Sequence, residues 1–336
     1  MAGTARIAVL IPCFNEVVAI PKVVADFRMH LPDAAIYVYD NNSVDGTAAA
    51  ARAAGAIVRH ETLQGKGHVV RRMFADVDAD IYVLVDGDDT YDAAASPGMI
   101  EILLAQQADM VNGARVTQVR AAYRRGHQFG NAMLTGFVCG IFGRRVTDVL
   151  SGYRVFSRRF VKSFPASATG FETETEFTVH ALELRMPIAE VPIFYKDRPA
   201  GSASKLRTYV DGVKILRTIL ILIKEERPLQ FFSVWAAALL LAGLGFGLPV
   251  VLTFMRTGLV PRLPTAVLAT ALVSLSFLAL ACGLILDSVT RSRKDMKRLQ
   301  YLSIPPVACN VQEAAIACPA TLSGTMTVRQ DHALAR

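Results

Sequence analysis

The sequence predicts an α/β domain followed by a pair of membrane-spanning helices, and three observations carry that reading. Short β-rich runs alternate with helical stretches from Ile7 to Val111. No charged residue occurs between Arg227 and Arg256, nor between Arg262 and Asp287. Basic residues crowd the outer flanks of those two runs. The composition agrees: 52% of the 336 residues are hydrophobic and 19% charged, which excludes a disordered chain. Five cysteines in 336 residues exclude a small disulfide scaffold, and their lack of CxxC spacing argues against a metal site built from them and suits a reducing compartment.

Taken in order, the strands are Ile7–Ile11, Ile36–Tyr39, Ile57–Val58, Ile81–Val85 and Met110–Val111. Helices are expected near Val18–His30, Thr47–Ala54, Lys66–Val77 and Met99–Gln106. This alternation predicts a mostly parallel sheet covered by helices. Ligands of such sheets bind beyond the carboxyl ends of the strands. Polar residues gather there: Pro12–Glu16 after the first strand, Asp40–Asp45 after the second and Asp86–Asp89 after the fourth. No GxGxxG or GxxxxGK[ST] phosphate loop is present, so an ordinary dinucleotide or P-loop enzyme is disfavoured. Asp86-Gly87-Asp88 is the strongest chemical signal. Two carboxylates separated by a glycine at a strand exit can converge on a hard cation, Mg²⁺ or Mn²⁺, and leave positions for a diphosphate.

Beyond the first 200 residues the pattern changes. Leu206, Val210, Val213, Leu216, Leu220 and Ile223 recur at helical spacing among Lys205, Arg207, Lys214, Arg217 and Lys224. This predicts an amphipathic basic helix over 201–228, lying on an anionic membrane surface. Each uncharged run is long enough to cross a hydrocarbon core, which needs about 20 apolar residues. Spans are expected at about 231–255 and 263–286, within a 229–289 hairpin turned at Gly258 and Pro261. Lys214, Arg217, Lys224 and Arg227 precede the hairpin; Arg291, Arg293, Lys294, Lys297 and Arg298 follow it. The positive-inside rule then puts both ends and the N-terminal domain, 1–200, on the cytoplasmic side of an inner (cytoplasmic) membrane. Ile7–Ile11 is too short for a signal peptide. Residues 290–336 read as a basic flank and a mobile tail. The net charge of +7 sits beside the spans, and no nucleic-acid-binding motif occurs.

In order, these motifs resemble the family 2 glycosyltransferases of the GT-A fold, in particular the polyprenyl-phosphate glycosyltransferases that include dolichyl-phosphate mannose synthase. Ile11-Pro12-Cys13-Phe14-Asn15-Glu16 is similar to the family's IPxYNE, and Asp40 through Thr47 to its DDGSxDGT. Asp86-Gly87-Asp88 is similar to its DxD, Asp148 through Arg154 to its DxxSGFR, and Arg198 through Leu206 to its RxxGxSKL. Asn41 departs from a second Asp, and Thr90 from a Gln near the metal.

The resemblance implies inverting transfer of a sugar from a UDP- or GDP-sugar to a polyprenyl phosphate at the cytoplasmic membrane face. The product would serve cell-envelope glycan or lipopolysaccharide modification. Pro12, Asn15, Glu16, Asp40 and Asp45 would hold the nucleoside, with Lys66 and Arg115 also on the donor. Asp86 and Asp88 would hold the cation, with Gly87 between them. Arg125, Arg198, Ser204 and Lys205 would bind the acceptor phosphate or the diphosphate. Asp148, Asp88 and Arg154 are the expected catalytic groups. A phosphate acceptor is mostly ionised at neutral pH, so Asp148 is expected to orient the acceptor or its arginine partners more than to act as a base. Asp45 could equally be a helix cap, and Lys66 could simply open a helix. Glu172, Glu174 and Glu176 lie on one helical segment but cannot share a face. A transferase acting on a sugar or protein hydroxyl is the alternative, and a non-catalytic nucleotide-sugar scaffold a second one. The choice among mannose, glucose, modified arabinose and galacturonate stays open, as does a homo-oligomer formed through the hairpin.

Overall fold

The computed structural model describes residues 5–116, 125–143, 146–167, 172–196, 221 and 224–307, without the side chains of 125–132. The expected alternation is present. Strands β1 (Ile7–Cys13), β2 (Ala35–Asp40), β3 (Ile57–His60), β4 (Ile81–Leu84) and β5 (Met110–Val116) alternate with helices α1 (Ile20–His30), α2 (Thr47–Ala53), α3 (Lys66–Asp76) and α4 (Ser96–Ala105). Then come α5 (Arg125–Phe142), β6 (Arg154–Ser157), α6 (Arg158–Ser163), α7 (Thr173–Glu183) and β7 (Ile188–Phe194). The strands form one sheet in the order β3-β2-β1-β4-β6-β5-β7. Only β6 runs against its neighbours, so the sheet is mostly parallel, as expected.

The chain winds outward from β1 through β2 to β3, then returns to place β4 on the other side of β1. That reversal makes the β1/β4 boundary a topological switch point, where a crevice opens beyond the strand ends. Register brings the exits together: Cys13 pairs with Asp40, Asp40 with His60, and Leu10 with Leu84. Side-chain alternation along β1 supplies both cores. Val9 and Ile11 face α1, α2 and α4, whereas Ala8 and Leu10 face α3, α6 and α7. The second core holds an aromatic cluster in which Phe156 stacks on Phe160 at 4.3 Å and Phe177 lies 4.9 Å from Phe164.

The two uncharged runs fold as α8 (Pro228–Thr257) and α9 (Leu263–Leu302), packed against each other. Both are long and apolar enough to cross a membrane, and little of either apolar stretch is buried by protein. Close packing is local: a Cβ on Gly243 would lie 2.8 Å from Val273, and Ser276 Oγ donates to the Ala236 carbonyl at 2.9 Å. The helix of the second run continues past residue 289 into the basic flank. With 1.5 Å per residue, a helix as long as α9 reaches about 60 Å, twice a hydrocarbon core. Its polar end docks on the catalytic domain, where Lys297 Nζ meets Glu183 at 2.7 Å and Tyr301 Oη donates to Asp109 at 2.7 Å. Arg159 adds a bond to the Ile304 carbonyl at 3.0 Å. The first part of the expected flank is thus held against the domain by Arg159 of α6, Glu183 of α7 and Asp109 just before β5. The remainder of the expected tail lies outside the described residues, as does most of the expected amphipathic helix.

Candidate active site

The loops after β1 and β2 are tied by backbone donors. Asn15 takes a left-handed φ of 53°, which asparagine tolerates, and its side-chain carbonyl accepts the Val44 N–H at 3.0 Å. Its own N–H donates to Ser43 Oγ at 2.9 Å, and the Glu16 N–H donates to Thr47 Oγ1 at 2.9 Å. Asp45 accepts from the Val17 N–H at 3.1 Å and the Thr47 N–H at 3.0 Å. Burial opposes ionisation there, but the Thr47 hydroxyl, followed by those backbone donors, holds the Asp45 carboxyl below its ordinary range. Asp45 therefore joins two loops at the head of α2.

Asp40 is buried at the end of β2. One oxygen accepts from the Ser43 N–H at 3.3 Å and lies 3.2 Å from His60 Nδ1; the other has no hydrogen-bond partner. An orphaned buried acceptor at a strand exit is costly unless a ligand supplies a donor, as a base N–H or ribose hydroxyl would. Asn41 turns the other way. Its amide donates to the carbonyls of Glu61 (2.9 Å) and Leu63 (2.8 Å) and accepts from the Gly65 N–H (2.8 Å). An aspartate could not make the two donations, so this departure from DDGS secures the β3–α3 loop and has no face left for a base.

Lys66 opens α3, and its ammonium is 2.5 Å from both Asp86 Oδ1 and Glu174 Oε1. The lysine side chain is only 10% exposed. Burial alone would lower its pKa, but the two carboxylates outweigh that and raise it, so the ammonium stays charged. Glu174 comes from α7 and is buried, and its second oxygen has no hydrogen-bond partner. Of the three glutamates on that segment, it is the one turned inward.

Asp86 keeps Oδ2 against Gly152, where a Cβ would lie 2.1 Å away. Gly87 allows the same turn to pass Cys13, whose Sγ would be 2.5 Å from an added Cβ. Asp88 is 4% exposed and accepts from Thr90 Oγ1 at 2.6 Å. Thr90 thus orients the DxD carboxylate. Among the described residues no three metal-ligating side chains cluster, so the protein offers two carboxylates on one turn. That donor set fits Mg²⁺ or Mn²⁺, which characteristically take one or two carboxylates and complete the shell from phosphates and water.

Across the sheet Arg115 forks onto Asp148, with Nε to Oδ2 at 2.7 Å and Nη2 to Oδ1 at 2.8 Å. The Arg115 and Leu150 N–H groups also donate to this carboxylate, each at 3.2 Å. The Arg115 guanidinium lies 5.6 Å from the Tyr195 ring centre. Asn112 and Glu190, unforeseen from sequence, hold the loop: Asn112 Nδ2 donates to the Asp148 carbonyl at 2.9 Å and to Glu190 at 2.8 Å. Tyr91 is another such support, its oxygen accepting the Gly152 N–H at 2.8 Å.

Arg154 is placed differently from the expectation of a catalytic group. It is fully buried, donating to the carbonyls of Val149 (2.7 Å) and Ser151 (3.1 Å) and to Thr178 Oγ1 (2.9 Å), over the face of Phe177. Burial pulls its pKa down to about 10. A guanidinium so enclosed organises the Val149–Gly152 turn from within and has no face toward a ligand. Arg125 starts α5, but its side chain is not described. Arg198, Ser204 and Lys205 lie outside the described residues.

The switch point thus brings together a DxD turn, an orphaned Asp40 and a lysine on the first DxD carboxylate, a donor and acceptor set chemically suited to a nucleotide bearing a diphosphate. The model of glycosyl transferase family 2 matches residues 8–163. The glycosyltransferase AglJ of Haloferax volcanii is 31% identical over 299 residues, covering 88% of this chain and 98% of that one. A dolichyl-phosphate hexose transferase of the same organism is 30% identical, covering 66% of this chain and 95% of its own. The crystal structure of glucosyl-3-phosphoglycerate synthase from Mycobacterium tuberculosis shares the fold, with a TM-score of 0.52 and 23% identity over 64% of this chain and 80% of that one. The chain belongs to glycosyl transferase family 2 and is an enzyme, with a GT-A-like α/β core and a C-terminal pair of long apolar helices.

Proposed function

We propose that the protein transfers a sugar, with inversion, from a nucleotide-diphosphate sugar to a hydroxyl-bearing acceptor at a membrane surface. The observation that carries this reading is the Asp86–Lys66–Glu174 array beside Asp88 at the switch point. Asp40, with its orphaned oxygen, suits a base or ribose donor. Asp86 and Asp88 would hold Mg²⁺ or Mn²⁺, which offsets the charge of the departing nucleoside diphosphate when bound. Lys66 adds a fixed positive charge to the same region, and Glu174 keeps it in position. The mycobacterial synthase has been crystallised with Mn²⁺ and UDP-glucose, which supports this donor class.

Two kinds of acceptor are to be distinguished. The comparisons support the broad class, a hydroxyl on a sugar, protein or small molecule, more directly. The other acceptor is a polyprenyl phosphate, which would attack through a phosphate oxygen instead of an alcohol hydroxyl, and one observation favours it. Asp148 is occupied on both oxygens by Arg115 and backbone donors, which suits orienting an anionic acceptor better than abstracting a hydroxyl proton. The names of the Haloferax hexose transferase and of an undecaprenyl-phosphate mannosyltransferase from Micrococcus luteus point the same way. Sugar nucleotides and acceptor phosphate would then meet on the cytoplasmic face of the membrane that α8 and α9 cross.

The test uses membranes holding the full chain, Mn²⁺, undecaprenyl phosphate and a panel of radiolabelled UDP- and GDP-sugars. Label entering the organic phase from one donor, absent with Asp88→Ala, establishes the lipid-phosphate acceptor. Label entering only aqueous or protein-bound products establishes the hydroxyl acceptor. No transfer from any donor, in membranes where the chain is folded and abundant, would overturn both.

A further inference from the structure

A second cavity, of about 500 Å³, lies where the catalytic domain meets the hairpin. Its described lining comes from the end of α5 (Ile141, Phe142), the end of α7 (Glu183, Arg185), the residues entering α8 (Glu226, Arg227) and Lys294 of α9. Glu174, in the donor site, and Arg185 are separated by the length of α7, about 16 Å at 1.5 Å per residue. This cavity is therefore separate from the DxD crevice.

Its charges do not cancel. Glu183 is paired with Lys297 at 2.7 Å and Glu226 with Lys294 at 2.8 Å. Arg185 and Arg227 are left without a carboxylate partner among the described residues. Arg227 donates to the Ile141 carbonyl and to Gln230, and Arg185 is exposed. Burial, together with the charge of Glu183, raises the Glu226 carboxyl, against the pull of Lys294 and Lys297. Two uncompensated guanidiniums match a phosphate, to which their forked N–H groups can donate in pairs.

Depth identifies the source of that phosphate. Arg227 immediately precedes the apolar run of α8, and Thr290 Oγ1 of α9 donates to the Glu225 carbonyl at 3.2 Å. Lys294 lies eight residues beyond Leu286, the last residue of the apolar run, or about 12 Å along the helix. The cavity thus runs from the hydrocarbon edge through the headgroup layer, which is about 5–8 Å thick on each side. We propose that it binds the phosphate of an anionic phospholipid headgroup and seats the catalytic domain on the bilayer. This rests on α8 and α9 crossing the membrane.

The test is thermal unfolding of the purified full chain in a neutral detergent, titrated with dioctanoyl phosphatidylglycerol, dioctanoyl phosphatidylcholine or inorganic phosphate. Phosphatidylglycerol should raise the midpoint saturably and phosphatidylcholine should not. Arg185→Ala should weaken the apparent Kd for phosphatidylglycerol roughly tenfold, the loss of one charge-assisted hydrogen bond. Arg185→Lys should recover part of it, and Arg293→Ala, outside the cavity, should match the wild type. Equal responses of wild type and Arg185→Ala, or of the two lipids, would overturn the site. An equal, saturable response to phosphate alone would overturn the lipid as its source. Sedimentation with phosphatidylcholine vesicles after detergent removal checks the hairpin separately: a chain left in solution refutes membrane insertion, not the anion site.

Discussion

Replacing Lys66 with methionine removes the ammonium shared by Asp86 and Glu174 while keeping most of the side-chain volume. Asp86 is 31% exposed, so water compensates much of its loss. Glu174 is 7% exposed and already has one oxygen without a partner, so it carries most of the cost. Removing one member of a buried pair costs about 3–5 kcal/mol, and with the Asp86 share discounted the lower end, about 3 kcal/mol, applies. For a domain of this size that corresponds to a fall of about 6–12 °C in Tm. The cost comes from an uncompensated charge, so adding Glu174→Gln to Lys66→Met should restore most of it. The double variant should then be more stable than the Lys66→Met single variant. The deficit should also shrink on acidification, because a buried carboxylate without a cation has a raised pKa and is relieved by protonation. Circular dichroism melting in neutral detergent between pH 5 and 8 measures all three. A double variant no more stable than Lys66→Met, or a deficit independent of pH, would refute the assignment of Lys66 and Glu174 as one unit.

Three further outcomes follow from the same geometry. Gly152→Ala places a methyl 2.1 Å from the Asp86 carboxylate, which must swing aside; Mn²⁺ affinity measured by electron paramagnetic resonance should fall while Tm changes little. Arg115→Lys cannot reproduce the fork on Asp148, and kcat/KM should drop by about tenfold to a hundredfold at unchanged Tm, read from steady-state transfer kinetics. His180 is buried beside Phe160 and Phe164, and burial with the nearby Lys297 charge lowers its pKa from 6.5 to about 3. The unfolded chain therefore binds a proton that the native state excludes, and stability should fall below pH 6.5, by about 2 kcal/mol at pH 5. His180→Gln should remove that slope in urea unfolding.

What could be read from sequence, and what could not, divides along physical lines. The first five strands announce themselves as apolar runs ending in polar clusters, and parallel order follows from the intervening helices. β7 was hidden by Pro192, which argues against a strand unless the strand is at an edge; β7 is the last strand of the sheet. β6 was hidden by Arg154, because a guanidinium suggests surface or site, and nothing local shows that Val149 and Ser151 carbonyls would enclose it. The DxD turn was legible from its position after an apolar strand. The Lys66–Glu174 pair spans 108 residues and the Arg115–Asp148 fork 33, so neither leaves a local signature. Two-residue spacing marks Glu174 as a candidate to point inward, but a solvated face explains the three glutamates nearly as well, since the face Glu174 occupies depends on where α7 packs. Asn41 departs from the family's second Asp, and only the fold shows that its two donated hydrogen bonds serve the neighbouring loop.

The most direct test of the central assignment is calorimetric titration of the full chain with UDP- and GDP-sugars, with and without Mn²⁺. The account predicts that one donor binds, that Mn²⁺ tightens it, and that Asp88→Ala abolishes the Mn²⁺ effect while the chain stays folded. Binding of the donor with the same affinity in wild type and Asp88→Ala, with or without Mn²⁺, would contradict it.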